Sequence, residues 1–159
     1  MKKHIAYIIS AAVILFSVVS CDKLPENGKL DGMWQIMSVN YAHGSEYDSL
    51  VDIKSQKVYL SFQLKLAQIR TGTFSNEVQT DVILSRFKYK GSSLSLYNFY
   101  RKGFAEDQLL TDSATTSLRC FGIDGISADF HIDKLNGSEM QLSSDYARII
   151  CHKIGRAHV

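Results

Sequence analysis

From Met33 onward apolar and polar residues alternate with a period of two, and no stretch holds an apolar period of about 3.6 over the roughly ten residues a packed helix needs. The clearest run is Lys57 to Arg70, where Leu60, Phe62, Leu64 and Leu66 share one side and Ser61, Gln63 and Lys65 the other. In an extended chain successive side chains point to opposite faces, so this run predicts a strand with one buried and one wet face. The same alternation marks Trp34 and Ile36, Leu94 and Leu96, Phe130 and Ile132, Met140 and Leu142, and Ile149 and Cys151. Turn residues separate these strands at Thr71-Gly72-Thr73, Lys90-Gly91-Ser92, Asn136-Gly137 and Ser144-Asp145. Connections this short join antiparallel neighbours. Between Val78 and Tyr89 the apolar parity slips at Val82, Ile83 and Leu84 and resumes at Phe87 and Tyr89, so a β-bulge is expected there. Gly103 to Gly125 breaks the meander: Asp112 or Ser113 is placed to cap a short helix carrying Leu118, with Gly122 as its stop. The pattern predicts an all-β, antiparallel domain over residues 31–153, with about seven or eight strands and one short helix. Sandwich and barrel both satisfy it; hairpin-sized loops and strands of about 12 residues favour a tilted, closed barrel wall.

The two ends do not fit this pattern. Lys2 and Lys3 precede an apolar run from Ile5 to Val19, and Ser20 stands directly before Cys21. That is the layout of an export signal, and the run is shorter than the roughly 20 residues of a spanning helix. Val18-Val19-Ser20-Cys21 resembles the lipobox of bacterial lipoproteins, with Val18 where leucine is usual. The resemblance implies removal of residues 1–20, acylation of Cys21 and an envelope protein anchored to a membrane, with the outer membrane as the expected site. Residues 21–30, with the chain's single Pro and alternating charges, read as a solvated tether. Asp22 and Glu26 resemble the surface-export signal of Bacteroidetes-type lipoproteins. The final six residues, Ile154-Gly155-Arg156-Ala157-His158-Val159, read as the translation of a common sequencing adapter; a native end is the alternative.

Leu30-Asp31-Gly32-Met33-Trp34-Gln35-Ile36 resembles the Gly-x-Trp opening strand of lipocalin-like domains, and with the lipobox the whole chain resembles the small lipocalin-like lipoproteins of Bacteroidetes. Further pieces of the likeness are Tyr59 to Leu64, the Leu118 to Ile123 turn, Phe130 to Leu135 and Met140 to Ser143. It implies an up-and-down β-barrel with an internal cavity and no established activity. It also implies that Trp34 plugs the closed end against a basic side chain of the last strand, Arg148 in first place and Lys153 in second.

Composition narrows the function classes. The chain has 159 residues, 45% hydrophobic and 21% charged, with a net charge of +2, which suits one domain and lacks the electrostatic footprint of a nucleic-acid binder. Without Lys2, Lys3 and Arg156 the balance turns slightly acidic. No nucleophile elbow, phosphate loop or His-Glu-x-x-His occurs. Within the domain His43, His131 and His152 lie on a loop and two different strands, and Asp129 and Asp133 flank Phe130 to Ile132 on the outer face. No catalytic, metal or cofactor site is therefore expected. In an oxidising compartment Cys120 and Cys151 form a disulfide stapling the helical connection to the last strand, or they stay as two buried thiols. Tyr97, Phe99, Tyr100 and Phe104 beside Arg101 and Lys102 serve as core and rim packing or as a cavity mouth. Asp48-Ser49-Leu50 and Asp112-Ser113-Ala114, in predicted loops, resemble the O-glycosylation signal of Bacteroidetes.

Two functions fit these features. In the first, Trp34, Ile36, Leu60, Phe62, Leu64, Leu96 and Phe130 line a cavity for a small apolar or amphipathic ligand. In the second, the same side chains fill the barrel, and its outer face meets an envelope protein partner.

Overall fold

A computed structural model describes residues 26–43, 46–71, 82–103 and 105–155. Among these residues ten strands follow in chain order: β1 (Gly32–His43), β2 (Glu46–Asp52), β3 (Tyr59–Gln63), β4 (Leu66–Arg70), β5 (Val82–Lys90), β6 (Ser93–Arg101), β7 (Gln108–Leu109), β8 (Ser127–Leu135), β9 (Glu139–Ser143) and β10 (Ala147–Gly155). Every pairing is antiparallel. β2 pairs with the later half of β1 and β3 with its start, and the 3₁₀ turn Lys54–Gln56 lies between them, so β2 and β3 act as one interrupted strand. The path continues through β4, β5, β6, β8 and β9 to β10, which pairs with β1 from Met33↔Gly155 to Tyr41↔Ala147. The wall is thus a closed, eight-stranded, up-and-down barrel.

Closure divides the molecule into two ends. An antiparallel meander alternates its connections, so the chain entry at 26–32, the turns at 64–65, 91–92 and 136–138, and the end of β10 share the lower end. The β1–β2 connection, the long segment between β6 and β8 and the turn after β9 share the upper end. The inward alternation is well kept: Trp34, Ile36, Leu60, Phe62, Leu94, Leu96, Phe130, Ile132, Met140, Leu142, Ile149 and Cys151 are all buried in one core.

Several local expectations change. Lys57 to Arg70 is a hairpin rather than one strand: Gln63 pairs with Leu66 around the two-residue turn Leu64-Lys65, and Ala67 and Ile69, not Leu66, face inward. Leu64 is 62% exposed with φ +55°, so it lines no cavity. β5 is regular where described. The bulge is in β6, where Asn98 (φ +54°) and Phe99 lie across from Ser85 between the pairs Leu84↔Tyr100 and Arg86↔Tyr97. The short helix is a 3₁₀ run, Asp112–Phe121, entered from extended Thr111 and stopped by left-handed Gly122 as expected. β2 and β7 had no alternating signal, and Ser49, expected in a loop, lies in β2. Ile154 and Gly155, read as adapter-derived, are the last two residues of β10, and Leu30, read as the end of a solvated tether, is fully buried in the core. The Thr71-Gly72-Thr73 turn beyond Thr71, Phe104, and the tail from Arg156 lie outside the described residues.

Leucine disfavours the left-handed conformation that the 64–65 turn imposes, whereas asparagine tolerates it. Leu64→Asn is therefore expected to stabilise the protein by about 0.5–1 kcal/mol in urea unfolding. An unchanged midpoint would show that the turn carries no strain.

Candidate functional site: the barrel interior and its two ends

The lower end is closed by chain entry and chain exit together. Leu30, in the one-turn 3₁₀ helix Gly28–Leu30, and Trp34 are both fully buried, and Trp34 Nε1 donates to the Leu30 carbonyl at 2.8 Å. The register Trp34↔Lys153 places the Lys153 ammonium 4.8 Å from the indole centroid, and the same Nζ donates to the Lys29 carbonyl at 3.0 Å. Gly32 is needed for this approach: a Cβ there would lie 2.4 Å from Lys153 Cε. Burial lowers the Lys153 pKa, and nearby Asp31 opposes the shift. The cation on Trp34 is therefore Lys153, not Arg148. Arg148 lies on the outer wall, its guanidinium 4.6 Å from the Tyr47 ring and its Nε 4.0 Å from Asp133.

The upper end is occupied by the connection between β7 and β8. Leu110, Leu118, Phe121 and Ile123 are buried, and Gly122 lies so close to the wall that a Cβ would meet Ile149 Cδ1 and Cγ1 at 2.9 Å and Ala147 Cβ at 3.2 Å. Arg119 Nε donates to Asp124 across the Gly122 turn at 2.8 Å. Around this plug, Tyr41 and Tyr146 pack edge to face with centroids 5.7 Å apart, and Tyr47 Oη donates to the Ser144 carbonyl at 2.5 Å. Burial raises the pKa of both Tyr41 and Tyr146, with a smaller contribution from the Cys120 thiol.

Between the two ends the interior is packed with side chains. Trp34, Phe62, Phe99, Leu94, Leu96, Leu118, Met140, Leu142 and Ile149 each have under 2% of their surface accessible, and Phe62 meets Phe87 edge to face at 5.2 Å. The aromatic cluster divides accordingly: Phe99 is core, while Tyr97 and Tyr100 are half-buried on the wall. Among the described residues two serines are buried, Ser61 and Ser85. Ser85 is 2% exposed, faces inward opposite the β6 bulge, and its Oγ has no hydrogen-bond partner.

Cys120 and Cys151 are both free thiols, not bonded to each other. Cys151 points into the barrel, where burial pushes its thiol pKa up, while Cys120 is exposed on the plug and donates to the Ser117 carbonyl at 3.0 Å. Alternation along β10 turns Cys151 inward at the level of Ile36 and Met140, whereas the plug sits higher, beside Ala147 and Ile149. His43 pairs with Asp48, His131 and His152 are exposed, and among the described residues no three His, Cys, Asp or Glu come together as metal ligands do. Asp129 and Asp133 are solvent-facing, Asp133 accepting from Ser143 Oγ at 3.0 Å. An open groove of about 470 Å³ is lined by Gln35, Asp52, Lys54, Ser55, Lys57 and Tyr59.

A closed antiparallel eight-stranded barrel, opened by Gly-x-Trp and sealed by a Trp–cation contact, defines the lipocalin-like class. The chain belongs to the lipocalin-like domain family, whose pattern matches residues 14–154. The fold is similar to a lipocalin-like protein from Bacteroides uniformis (TM-score 0.54, 19% identity, 80% of this chain and 100% of that one). It is likewise similar to an uncharacterized protein from Bacteroides eggerthii (TM-score 0.53, 14% identity, 79% and 99%). No curated protein matches the chain.

Proposed function

We propose that this is a lipid-anchored protein of the bacterial outer membrane, held at Cys21, whose solid barrel presents its outer surface to an envelope protein partner and performs no catalysis. The observation that carries the solid barrel is the accessibility of its inner wall. A calyx able to hold even water would leave accessible area on its lining, yet Trp34, Phe62, Leu94, Leu96, Met140, Leu142 and Ile149 have under 2%. The plug at the upper end and the Trp34–Lys153 seal at the lower end support the same reading. The anchor rests on Val18-Val19-Ser20-Cys21, which lies outside the described residues. A second reading, an amphipathic ligand admitted when the plug moves, is favoured by one feature, the unpartnered Ser85 hydroxyl on the inner wall.

Native mass spectrometry of the full chain, extracted from membranes in mild detergent, tests both parts. The expected result is a chain starting at Cys21, heavier than its residues by two or three acyl groups, with nothing else bound. A stoichiometric small molecule that survives exchange of the detergent would overturn the solid barrel. An intact, unacylated amino terminus would overturn the anchor.

A further inference from the structure

The lower end of the barrel is where the tether enters. Asn27 is tied down at that end: its backbone N–H donates to Asp31 Oδ2 at 3.0 Å, and its side-chain amide donates to Asp31 Oδ1 at 2.7 Å and to the Leu64 carbonyl at 2.8 Å. The Lys153 hydrogen bond to Lys29 holds the next turn against the last strand. Only four residues lie between Cys21 and Glu26, the first described residue, and the five Cα–Cα steps from one to the other reach at most about 18 Å when fully extended. An acylated Cys21 therefore keeps this end, and not the plugged one, close to the bilayer.

Its surface matches that neighbour. Lys29, Lys65, Lys90 and Lys134 are exposed around the lower rim, with Glu26, Asp31 and Glu139 as the acidic residues there. Two of those acids are already engaged, Asp31 by Asn27 and Glu139 by Lys134 at 2.6 Å. The 64–65 turn at this end carries Leu64, 62% exposed and beside Lys65, and Ile154, next to the last residue of β10, is 47% exposed. At the upper end acids prevail: Asp48, Glu106, Asp107, Asp112, Asp124 and Asp145 are exposed there against exposed Lys102 and Arg119, with Asp124 held by Arg119 and Asp48 by His43. An apolar tip ringed by lysines suits an anionic membrane surface, and an acidic end is repelled by it.

We infer that the lower end of the barrel is a docking face for anionic phospholipid, with Leu64 as its apolar tip and Lys29, Lys65 and Lys90 as headgroup contacts. The barrel then stands on the membrane with its acidic, plugged end turned outward, which is where a partner would be met. This deepens the proposed function and rests on the anchor at Cys21.

Two native reporters sit at the two ends. Trp34, the single Trp, lies behind Leu30 at the lower end, and Cys120 is the exposed thiol on the plug. The acylated full chain is reconstituted into phosphatidylethanolamine vesicles with or without phosphatidylglycerol, each carrying a headgroup spin label as quencher. With phosphatidylglycerol, Trp34 emission is expected to be quenched and a fluorophore on Cys120 spared. Omitting phosphatidylglycerol, or combining Lys29→Glu, Lys65→Glu and Lys90→Glu, is expected to cut Trp34 quenching by roughly half or more, as is high salt. Leu64→Asp, which suits the left-handed turn and so leaves folding intact, is expected to act in the same direction. Equal quenching at both ends, or Trp34 quenching indifferent to charge, overturns the docking face. The mass of the purified chain reports acylation separately. If Cys21 is unmodified, sedimentation of the chain with the same vesicles decides the face: binding that needs phosphatidylglycerol and the lysines upholds it, and binding indifferent to both overturns it.

Discussion

Trp34→Ala is expected to cost about 3–5 kcal/mol of stability, measured by urea unfolding of the purified chain. The indole is fully buried between Leu30 and the Lys153 ammonium, and no neighbour is free to fill the space, since Lys153 is tied to the Lys29 carbonyl. Truncation also strands the buried Leu30 carbonyl that Nε1 satisfies. Trp34→Phe separates these contributions: it keeps most of the packing, loses the hydrogen bond, and is expected to cost about 1–3 kcal/mol. Arg148→Ala should leave the seal untouched, because its guanidinium lies over Tyr47 on the outer wall. A Trp34→Ala protein that unfolds like the parent would show that the lower seal does not hold the barrel closed.

Gly122→Ala is the second large effect, expected at about 2–4 kcal/mol. Part is conformational, since φ at Gly122 is +78°, and part is steric, since the new methyl would press on Ile149 at 2.9 Å and Ala147 at 3.2 Å. Gly91→Ala is the matched control: its φ is +60°, but no atom lies within 4 Å of the added Cβ, so only the conformational part, about 1 kcal/mol, is expected. The difference between the two measures how tightly the plug is seated. Ile149→Val, which removes the Cδ1 methyl, should recover part of the Gly122→Ala loss. Equal costs at the two glycines would mean that the plug rests loosely on the upper end.

Several elements were readable because their cause is local. Period-two alternation at Leu94 and Leu96, Phe130 and Ile132, and Met140 and Leu142 reports which side chains leave water, and all six are buried. Gly122 as the stop of a helical segment is likewise a local matter, the preference of a left-handed residue for glycine. The partner of Trp34 was also within reach. Lys153 has the parity of Ile149 and Cys151, so it faces inward with them, while Arg148 has the opposite parity. The hairpin at Leu64-Lys65 left no such trace: neither residue is a turn former, and the alternation runs through the turn unbroken in the sequence. The sequence places the bulge in β5 and not in β6 because Val82 and Leu84 are apolar residues on the outer face, which imitates a parity slip.

What the sequence by itself determined is the all-β antiparallel class, most of the inward set and the Trp at the head of β1, because each depends on a residue and its near neighbours. What only the tertiary structure decided is which elements meet across the barrel: Lys153 over Trp34, Cys151 and Cys120 unbonded at different levels, the plug against Ile149, and Lys29, Lys65 and Lys90 at the end where β1 begins. These depend on the register with which β10 closes onto β1, and register is set by the packing of the whole wall rather than by any single strand.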